Sequence, residues 1–164
     1  MLMAFWFHRA SFSVFIGLLT VACARSPRPV LIAIRSAEDT VVLQRQPDKT
    51  SFKVTAIVRN LDSRWIQILH CGGADAEREI AGRWVTVFVP VCAMGGSSRL
   101  APGDSLVLPI EVFGMSAQNA APHLDPRMTS GRYRLRFGIS VDSPEPEPPS
   151  PIRPIASSPF VVRD

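Results

Sequence analysis

Apolar and polar side chains alternate along much of this chain with a period of two. The residues from Phe52 to Val58 show this alternation, and those from Tyr133 to Val141 show it most cleanly. Successive side chains of a β-strand point to opposite faces, so the pattern predicts half-buried strands. Trp65 to Cys71 is apolar at positions of both parities, which predicts a central strand. No helical period of convincing length appears after residue 24.

Turn signals divide the chain into further short strands. Gly82 supplies the positive φ of a tight turn between Glu77–Ile80 and Arg83–Val89, which predicts a hairpin. Pro109 within a strand pattern indicates an edge position. Four more runs are strand-like: Val30–Ile34, Thr40–Leu43, Leu106–Val112 and Phe160–Val162. Seven prolines predict an extended loop over 144–159. We therefore expect an antiparallel β-sandwich of roughly seven to nine strands.

The chain begins with the layout of an export signal. His8 and Arg9 precede an apolar run, Phe12 to Val21, which ends in small residues at 22–24. The run is too short to span a bilayer, which takes roughly 20 apolar residues. The sequence therefore predicts export from the cytoplasm.

The end of this signal allows more than one interpretation. The segment from Leu19 to Cys23 resembles the lipobox of bacterial lipoproteins, in which the Cys becomes the lipidated first residue, although Thr20 stands where that family has an aliphatic residue. A cut after Ala24 would instead release a soluble secreted or periplasmic protein, and an uncleaved anchor is the third possibility. We expect a lipoprotein-type signal at 1–23 with lipidation at Cys23, a tether at 24–29 and one domain at 30–164.

Composition and charge restrict the partners. The formal net charge is +4 and falls to +3 without Arg9, because the signal contains no acidic residue. The arginines are spread along the chain rather than clustered, so nucleic acid is not an expected partner. About 140 residues after the signal suffice for one domain with a real core.

Two of the three cysteines fit an oxidising compartment. With Cys23 lipidated or removed, Cys71 and Cys92 remain as an even pair, which predicts a disulfide that closes a loop of about 20 residues. The alternative is a metal site that draws on His70, Cys71, Cys92 and His123. Adjacent strand residues point to opposite faces, and no CxxC or HxxxH spacing occurs. We therefore expect no metal.

A family resemblance supports the sandwich. Thr129–Tyr133 resembles the tyrosine corner of immunoglobulin-like domains, although Leu135 stands where antibody domains have their second Cys. With Asn60–Ser63, Ala81–Val85 and Leu100–Asp104, it looks like a bacterial immunoglobulin-like family that includes intracellular proteinase-inhibitor-type domains and many uncharacterised lipoproteins. The resemblance covers roughly 50–141 and implies a fold, in which Tyr133 has a structural role, rather than an activity.

Catalytic residue types are present without a catalytic motif. Ser97 and Ser98 lie in a Gly-rich stretch, His70 and His123 are the histidines after the signal, and Asp104 or Asp125 could orient one. Neither GxSxG nor HExxH surrounds them. We expect no enzymatic activity and no cofactor.

Three arginines form the candidate binding face. Arg132, Arg134 and Arg136 share one face of a strand whose other face enters the core. They predict either a solvated face with acidic neighbours across the sheet, or a stripe that docks an acidic partner or anionic headgroups. Replacing all three by Gln is expected to change stability by no more than about 1 kcal/mol.

The leading hypothesis is an envelope protein that binds a protein partner or stabilises an assembly. An envelope proteinase inhibitor is the alternative, and a hydrolase ranks below it. Recognition is expected in the loops, which sandwich proteins commonly use for binding: Gly72–Glu77, Gly95–Arg99, Gly114–Ser130 and Ser143–Ser158.

Overall fold

The computed structural model describes residues 28–70, 74–90, 96–115, 129–141 and 151–164. Every regular element in these ranges is a β-strand. The twelve strands are β1 (Ile32–Ser36), β2 (Thr40–Val42), β3 (Gln44–Arg45), β4 (Lys49–Asn60), β5 (Ile66–His70), β6 (Asp75–Ile80), β7 (Arg83–Phe88), β8 (Gly96–Leu100), β9 (Ser105–Met115), β10 (Gly131–Val141), β11 (Arg153–Ala156) and β12 (Phe160–Arg163).

One sheet is built around β4. The strand β9 runs antiparallel along one edge of β4, from Lys49 opposite Met115 to Arg59 opposite Ser105. On the other edge, β1 pairs with the C-terminal half of β4 and β3 with its beginning. In the described residues β9 pairs with no strand except β4, as expected for a strand that contains Pro109.

The second sheet is built around β10. Its N-terminal half pairs with β6 and its C-terminal half with β5, while β12 and β11 divide the opposite edge in the same way. The outer strands β7 and β8 pair with β6 and β5. Counting each interrupted pair, β5/β6, β7/β8 and β11/β12, as one strand gives nine, so the predicted all-β sandwich is confirmed.

One strand pair departs from the antiparallel expectation. The short strand β2 pairs with β12 in parallel, whereas β3, separated from β2 only by Leu43, pairs with β4 in the other sheet. The chain therefore crosses between the two sheets at this point and joins them along one edge.

The core lies between the two sheets and is centred on three aromatic rings. Phe52 of β4 meets Tyr133 of β10 with ring centroids 5.2 Å apart, and it meets Phe160 of β12 at 6.1 Å. All three side chains are almost completely buried. The apolar side chains around them come from alternate positions of the two central strands: Val54, Ala56, Val58, Leu135, Phe137 and Ile139. The apolar positions of the period-two pattern in the sequence are therefore the positions whose side chains are buried.

The corner before β10 has the predicted structure. The Tyr133 hydroxyl donates a 2.7 Å hydrogen bond to the Thr129 carbonyl, and burial raises the pKa of Tyr133 to about 12. Gly131 has φ +147°, and a Cβ there would lie 2.9 Å from Nε of Arg78. The tyrosine corner is therefore present, and Tyr133 has the structural role that the resemblance implied.

All four segments expected to be loops contain strand residues. Asp75–Glu77 begin β6, and Gly114 and Met115 end β9. Gly96–Leu100 forms β8, although its Gly-Ser-Ser composition favours a turn, because its backbone pairs with β5. The expectation of a loop throughout 144–159 is wrong for Arg153–Ala156, which forms β11. Among the described strands β11 pairs only with β10, so Pro154 is tolerated there because its nitrogen can face away from the ladder. Residues 144–150 lie outside the described ranges.

The hairpin turn between β6 and β7 offers a test of local strain. Gly82 has φ +76°, as expected, but Ala81 also has positive φ, at +49°. Two positive values define a turn that strongly favours Asn-Gly.

We expect Ala81→Asn to raise the free energy of unfolding by about 0.5–1 kcal/mol, because Asn tolerates this conformation better than Ala. Chemical denaturation measures the gain. Ala101→Asn, in a turn without positive φ at that residue, is the matched control and should give none. Equal effects of the two substitutions would contradict the interpretation.

Candidate binding surfaces

The arginine face of β10 is paired with acidic residues of β6. Arg132 contacts Glu79 at 2.6 Å, Arg134 contacts Glu77 at 2.6 Å, and Arg136 contacts Asp75 at 2.7 Å. The antiparallel register places Arg134 opposite Glu77 and Arg136 opposite Asp75. The acidic cross-strand neighbours of the solvated-face interpretation are therefore present. We call these six side chains the arginine ladder.

Burial differs along the arginine ladder. The side chain of Glu77 is only 7% exposed and also contacts Arg136 at 3.2 Å. Arg134 stacks over the ring of Trp84 on β7, with its guanidinium carbon 4.5 Å from the ring centroid. Hydrogen bonds to Asp75 raise the pKa of Arg136 above the ordinary value of an arginine. The middle of the ladder is thus a compact, internally neutralised network, while Arg132 at its end is mostly exposed.

This network changes the expected cost of removing the arginines. We expect Arg134→Gln together with Arg136→Gln to lower the free energy of unfolding by about 2–3 kcal/mol, because the buried Glu77 loses both cations. The figure exceeds the ~1 kcal/mol expected for a solvated stripe. Chemical denaturation of the purified protein measures it.

Two controls separate the loss of charge from the loss of Glu77's partners. Arg132→Gln removes an exposed pair and should cost at most ~1 kcal/mol. Adding Glu77→Gln to the double variant should recover much of the loss, because no buried charge then remains unpaired. A double variant as stable as Arg132→Gln would contradict the account.

The three predicted cysteine sites, Cys23, Cys71 and Cys92, lie outside the described residues. Their neighbours in the sequence are described in part. Leu69 and Ala74, on either side of residues 71–73, line one cavity of about 300 Å³ together with Pro90, two residues before Cys92. The described residues nearest to Cys71 and to Cys92 in the sequence therefore lie beside the same cavity.

The structure brings together one pair of the candidate catalytic residues. Nε2 of His70 lies 2.8 Å from Oγ of Ser98, across the β5–β8 pair, and Ser97 accepts a hydrogen bond from Gln67. Ser98 is the only side-chain hydrogen-bond partner of His70 in the described part of the chain. Asp104 is near the opposite end of these strands, beside Asn60, so it does not orient the histidine.

The sequence interpretation missed a buried polar cluster at the end of β4. Asn60 is fully buried and donates from Nδ2 to the carbonyls of Arg64 and Leu100. Its Oδ1 accepts a hydrogen bond from the amide of Asp62. We call Asn60, Asp62 and Arg64 the Asn60 cluster. The sequence Asn60–Ser63 predicts a turn, but it does not predict the hydrogen bonds that these residues form with distant segments of the chain.

Asp62 holds the residue before β1 to the loop after β4. Its carboxylate accepts hydrogen bonds from the amide of Leu31, from the amide of Arg64 and from the Arg64 guanidinium at 2.8 Å. The hydrogen bond from the Arg64 guanidinium is the main reason that the pKa of Asp62 lies far below its ordinary value. Burial alone would raise this pKa, whereas the hydrogen bonds from the backbone amides lower it. The first residues of the domain are therefore held by a buried carboxylate.

Other site types are not found within the described ranges. No three His, Cys, Asp or Glu side chains there gather as metal ligands would, although Cys71, Cys92 and His123 lie outside them. Nor do the described residues contain a helix of the length and apolarity needed to cross a bilayer.

Comparison with known proteins assigns neither a family nor a function to this chain. No family model matches the chain, and no curated protein matches it. Among solved structures, the exo-chitosanase CsxA of Amycolatopsis orientalis is similar with a TM-score of 0.32 and 18% identity, over 76% of this chain and 12% of that one. A β-glucosidase from Listeria innocua has a TM-score of 0.32 and 11% identity, over 82% of this chain and 16% of that one.

The chain thus spans only a small part of these glycosidases, and TM-scores this low carry no argument about activity. Its own strand pairing, buried core and tyrosine corner assign it to the β-sandwich class.

Proposed function

We propose that this chain is an exported, lipid-anchored protein of the cell envelope whose β-sandwich serves as a non-enzymatic protein-binding or structural module. The observation that supports the proposal is an N-terminal sequence with the layout of a lipoprotein signal up to Cys23, with the folded domain only a few residues further on. A protein with this layout is delivered to a membrane surface and held there.

In this proposal only a short stretch of chain joins the lipid anchor to the folded domain. The amide of Leu31 donates a hydrogen bond to Asp62 of the Asn60 cluster, and seven residues, 24–30, separate Leu31 from Cys23. Seven extended residues reach at most about 25 Å. Acyl chains on Cys23 would therefore keep the domain close to the membrane, and two or more chains give stable anchoring where one is marginal.

A binding role suits the described surface better than catalysis does. A Ser–His pair needs a third group that orients the histidine and donors for a developing oxyanion. His70 and Ser98 contact each other, but His70 receives no carboxylate partner within the described ranges. The sandwich instead offers a rigid scaffold that can hold binding loops in place, which is the arrangement that recognition modules use.

We expect Cys23→Ser to move the protein from the membrane fraction to the soluble fraction. Thr20→Leu supplies the aliphatic residue that lipoprotein signals usually have, and as the matched control it should leave the protein in the membrane fraction. Fractionation with metabolic labelling by a fatty acid measures both effects. A labelled Cys23→Ser chain, or an unlabelled wild-type chain in the soluble fraction, would contradict the lipid anchor.

Co-purification from detergent-solubilised envelopes tests the module itself. We expect one or a few envelope proteins to be retained in stoichiometric amounts. Tight, saturable inhibition of an envelope protease would instead make the chain an inhibitor. Turnover of a substrate that Ser98→Ala abolishes would make it a hydrolase, and both outcomes would overturn the proposed scaffold role.

A further inference from the structure

The end of the sandwich where the tether enters carries an unusual combination of exposed side chains. Leu31, Leu61 and Trp65 expose 48%, 52% and 47% of their surface. They lie on segments joined by the Asn60 cluster, since the amide of Leu61 donates to the Leu31 carbonyl and Nδ2 of Asn60 donates to the carbonyl of Arg64, the residue before Trp65. Three large apolar groups therefore surround the start of the domain.

Arginines surround these apolar groups. Arg28, Arg64 and Arg153 line one cavity of about 70 Å³, beside Val30. Arg59 lines a neighbouring depression with Leu61. We call Leu31, Leu61, Trp65, Arg28, Arg59 and Arg153 the tether-end surface.

Among the described residues, fewer carboxylates pair with the arginines of the tether-end surface than with those of the arginine ladder. Each arginine of the ladder has a carboxylate within ion-pair distance. At the tether end the buried carboxylate of Asp62 forms an ion pair with Arg64. Asp104, in the described turn between β8 and β9, is exposed. No ion pair is found within the described ranges for Arg28, Arg59 or Arg153.

We infer that the tether-end surface lies against anionic lipid headgroups, with Trp65 and the two leucines at the membrane interface and the arginines bound to lipid phosphates. The inference rests on the proposed anchoring at Cys23, which stands five residues before Arg28. Tryptophan prefers the boundary between headgroups and acyl chains, and arginine attracts anionic lipids while its stem covers apolar surface.

The geometry also explains why this end, rather than the arginine ladder, is assigned to the membrane. The strand β10 runs from Gly131, near the arginine ladder, to Val141, which pairs with Ile66 next to Trp65. Ten residue steps in a strand span about 33 Å. A tether that leads to Leu31 brings the Val141 end to the membrane and leaves the Gly131 end directed away from it, open to a protein partner.

Quenching of tryptophan fluorescence tests this orientation. The mature protein purified from membranes is reconstituted into vesicles of phosphatidylcholine and phosphatidylglycerol whose acyl chains carry bromine. In the Trp84→Phe variant Trp65 emits alone after removal of the signal, and we expect strong quenching. The matched Trp65→Phe variant leaves Trp84, under Arg134 at the other end, and should show little quenching.

Charge variants test the role of the arginines in the protein that lacks the acyl group, Cys23→Ser. Each arginine contributes about five-fold to binding of anionic membranes, so Arg28→Gln, Arg59→Gln and Arg153→Gln together should weaken binding to phosphatidylglycerol vesicles on the order of a hundred-fold. The charge-matched set Arg83→Gln, Arg132→Gln and Arg163→Gln, at the opposite end, should have little effect. Binding should also fall as salt rises.

The outcomes separate this inference from the proposed anchor. An unacylated wild-type protein that still binds anionic vesicles through the tether-end arginines would refute the anchor and keep the inference. An acylated protein with Trp65 unquenched would keep the anchor and overturn the inference. Salt-sensitive capture of an envelope protein by the same arginines, with no vesicle binding, would also overturn it.

Discussion

Replacing Asp62 by Ala is expected to lower the free energy of unfolding by about 3 kcal/mol, measured by chemical denaturation at neutral pH. The carboxylate is buried and holds three groups at once: the amide of Leu31, the amide of Arg64 and the Arg64 guanidinium. Its removal leaves the amides of Leu31 and Arg64 without this acceptor, and it frees the beginning of β1 from the loop after β4. The loss should therefore appear as a lower denaturation midpoint.

An exposed aspartate in the same part of the fold is the matched control. Asp104 contributes its backbone carbonyl to the amide of Asn60, and its side chain is exposed. Asp104→Ala keeps that backbone bond and should change stability by less than ~0.5 kcal/mol. If the two substitutions cost the same, the Asn60 cluster does not stabilise the domain as we describe.

The same carboxylate predicts how stability depends on pH. The pKa of Asp62 is lower in the folded protein than its ordinary value of 3.8. The unfolded chain therefore binds a proton first as the pH falls, and stability is lost from about pH 4 downward. The Asp62→Asn variant should be less stable than the wild-type protein at neutral pH. As the pH falls below about 5, it should lose less stability than the wild-type protein, because the contribution of the Asp62 carboxylate is already absent.

Removal of the predicted disulfide is the second large effect. We expect Cys71→Ser with Cys92→Ser to lower the free energy of unfolding by about 2–4 kcal/mol while the domain remains folded at low temperature. The bridge would close a loop of about 20 residues and restrict the unfolded chain accordingly. The shared cavity of Leu69, Ala74 and Pro90 supports the pairing, because the described neighbours of both cysteines reach one place.

Thiol chemistry gives the decisive control for the pairing. In the native, unreduced protein neither Cys71 nor Cys92 should react with an alkylating reagent, and both should react after reduction and unfolding. Cys71→Ser alone should leave Cys92 reactive and cost about as much as the double variant. Alkylation of both cysteines without reduction would show that no bridge exists.

The sequence predicted the core of this fold because burial follows the strand period. Every second residue from Phe52 to Val58 in β4 and from Tyr133 to Ile139 in β10 is apolar and buried. The tyrosine corner has a local signature that ends in Tyr133. The hairpin at Ala81 and Gly82 was equally readable, since its turn chemistry lies within two residues. These features depend on neighbours in the sequence.

Features that depend on distant partners were not predictable from the sequence. β8 has the composition of a turn and becomes a strand only through backbone pairing with β5. Asp62 looked like a turn residue, but its partner Leu31 lies 31 positions away. The acidic neighbours of Arg134 and Arg136 likewise follow from the register between β6 and β10, which periodicity alone does not fix.

The N-terminus of the mature protein tests the central claim most directly. Mass spectrometry of the protein purified from the membrane fraction, with fragmentation of its first peptide, identifies both the first residue and any mass attached to it. The account predicts a chain that begins at Cys23 and carries acyl groups. A chain that begins unmodified at Arg25 would contradict it.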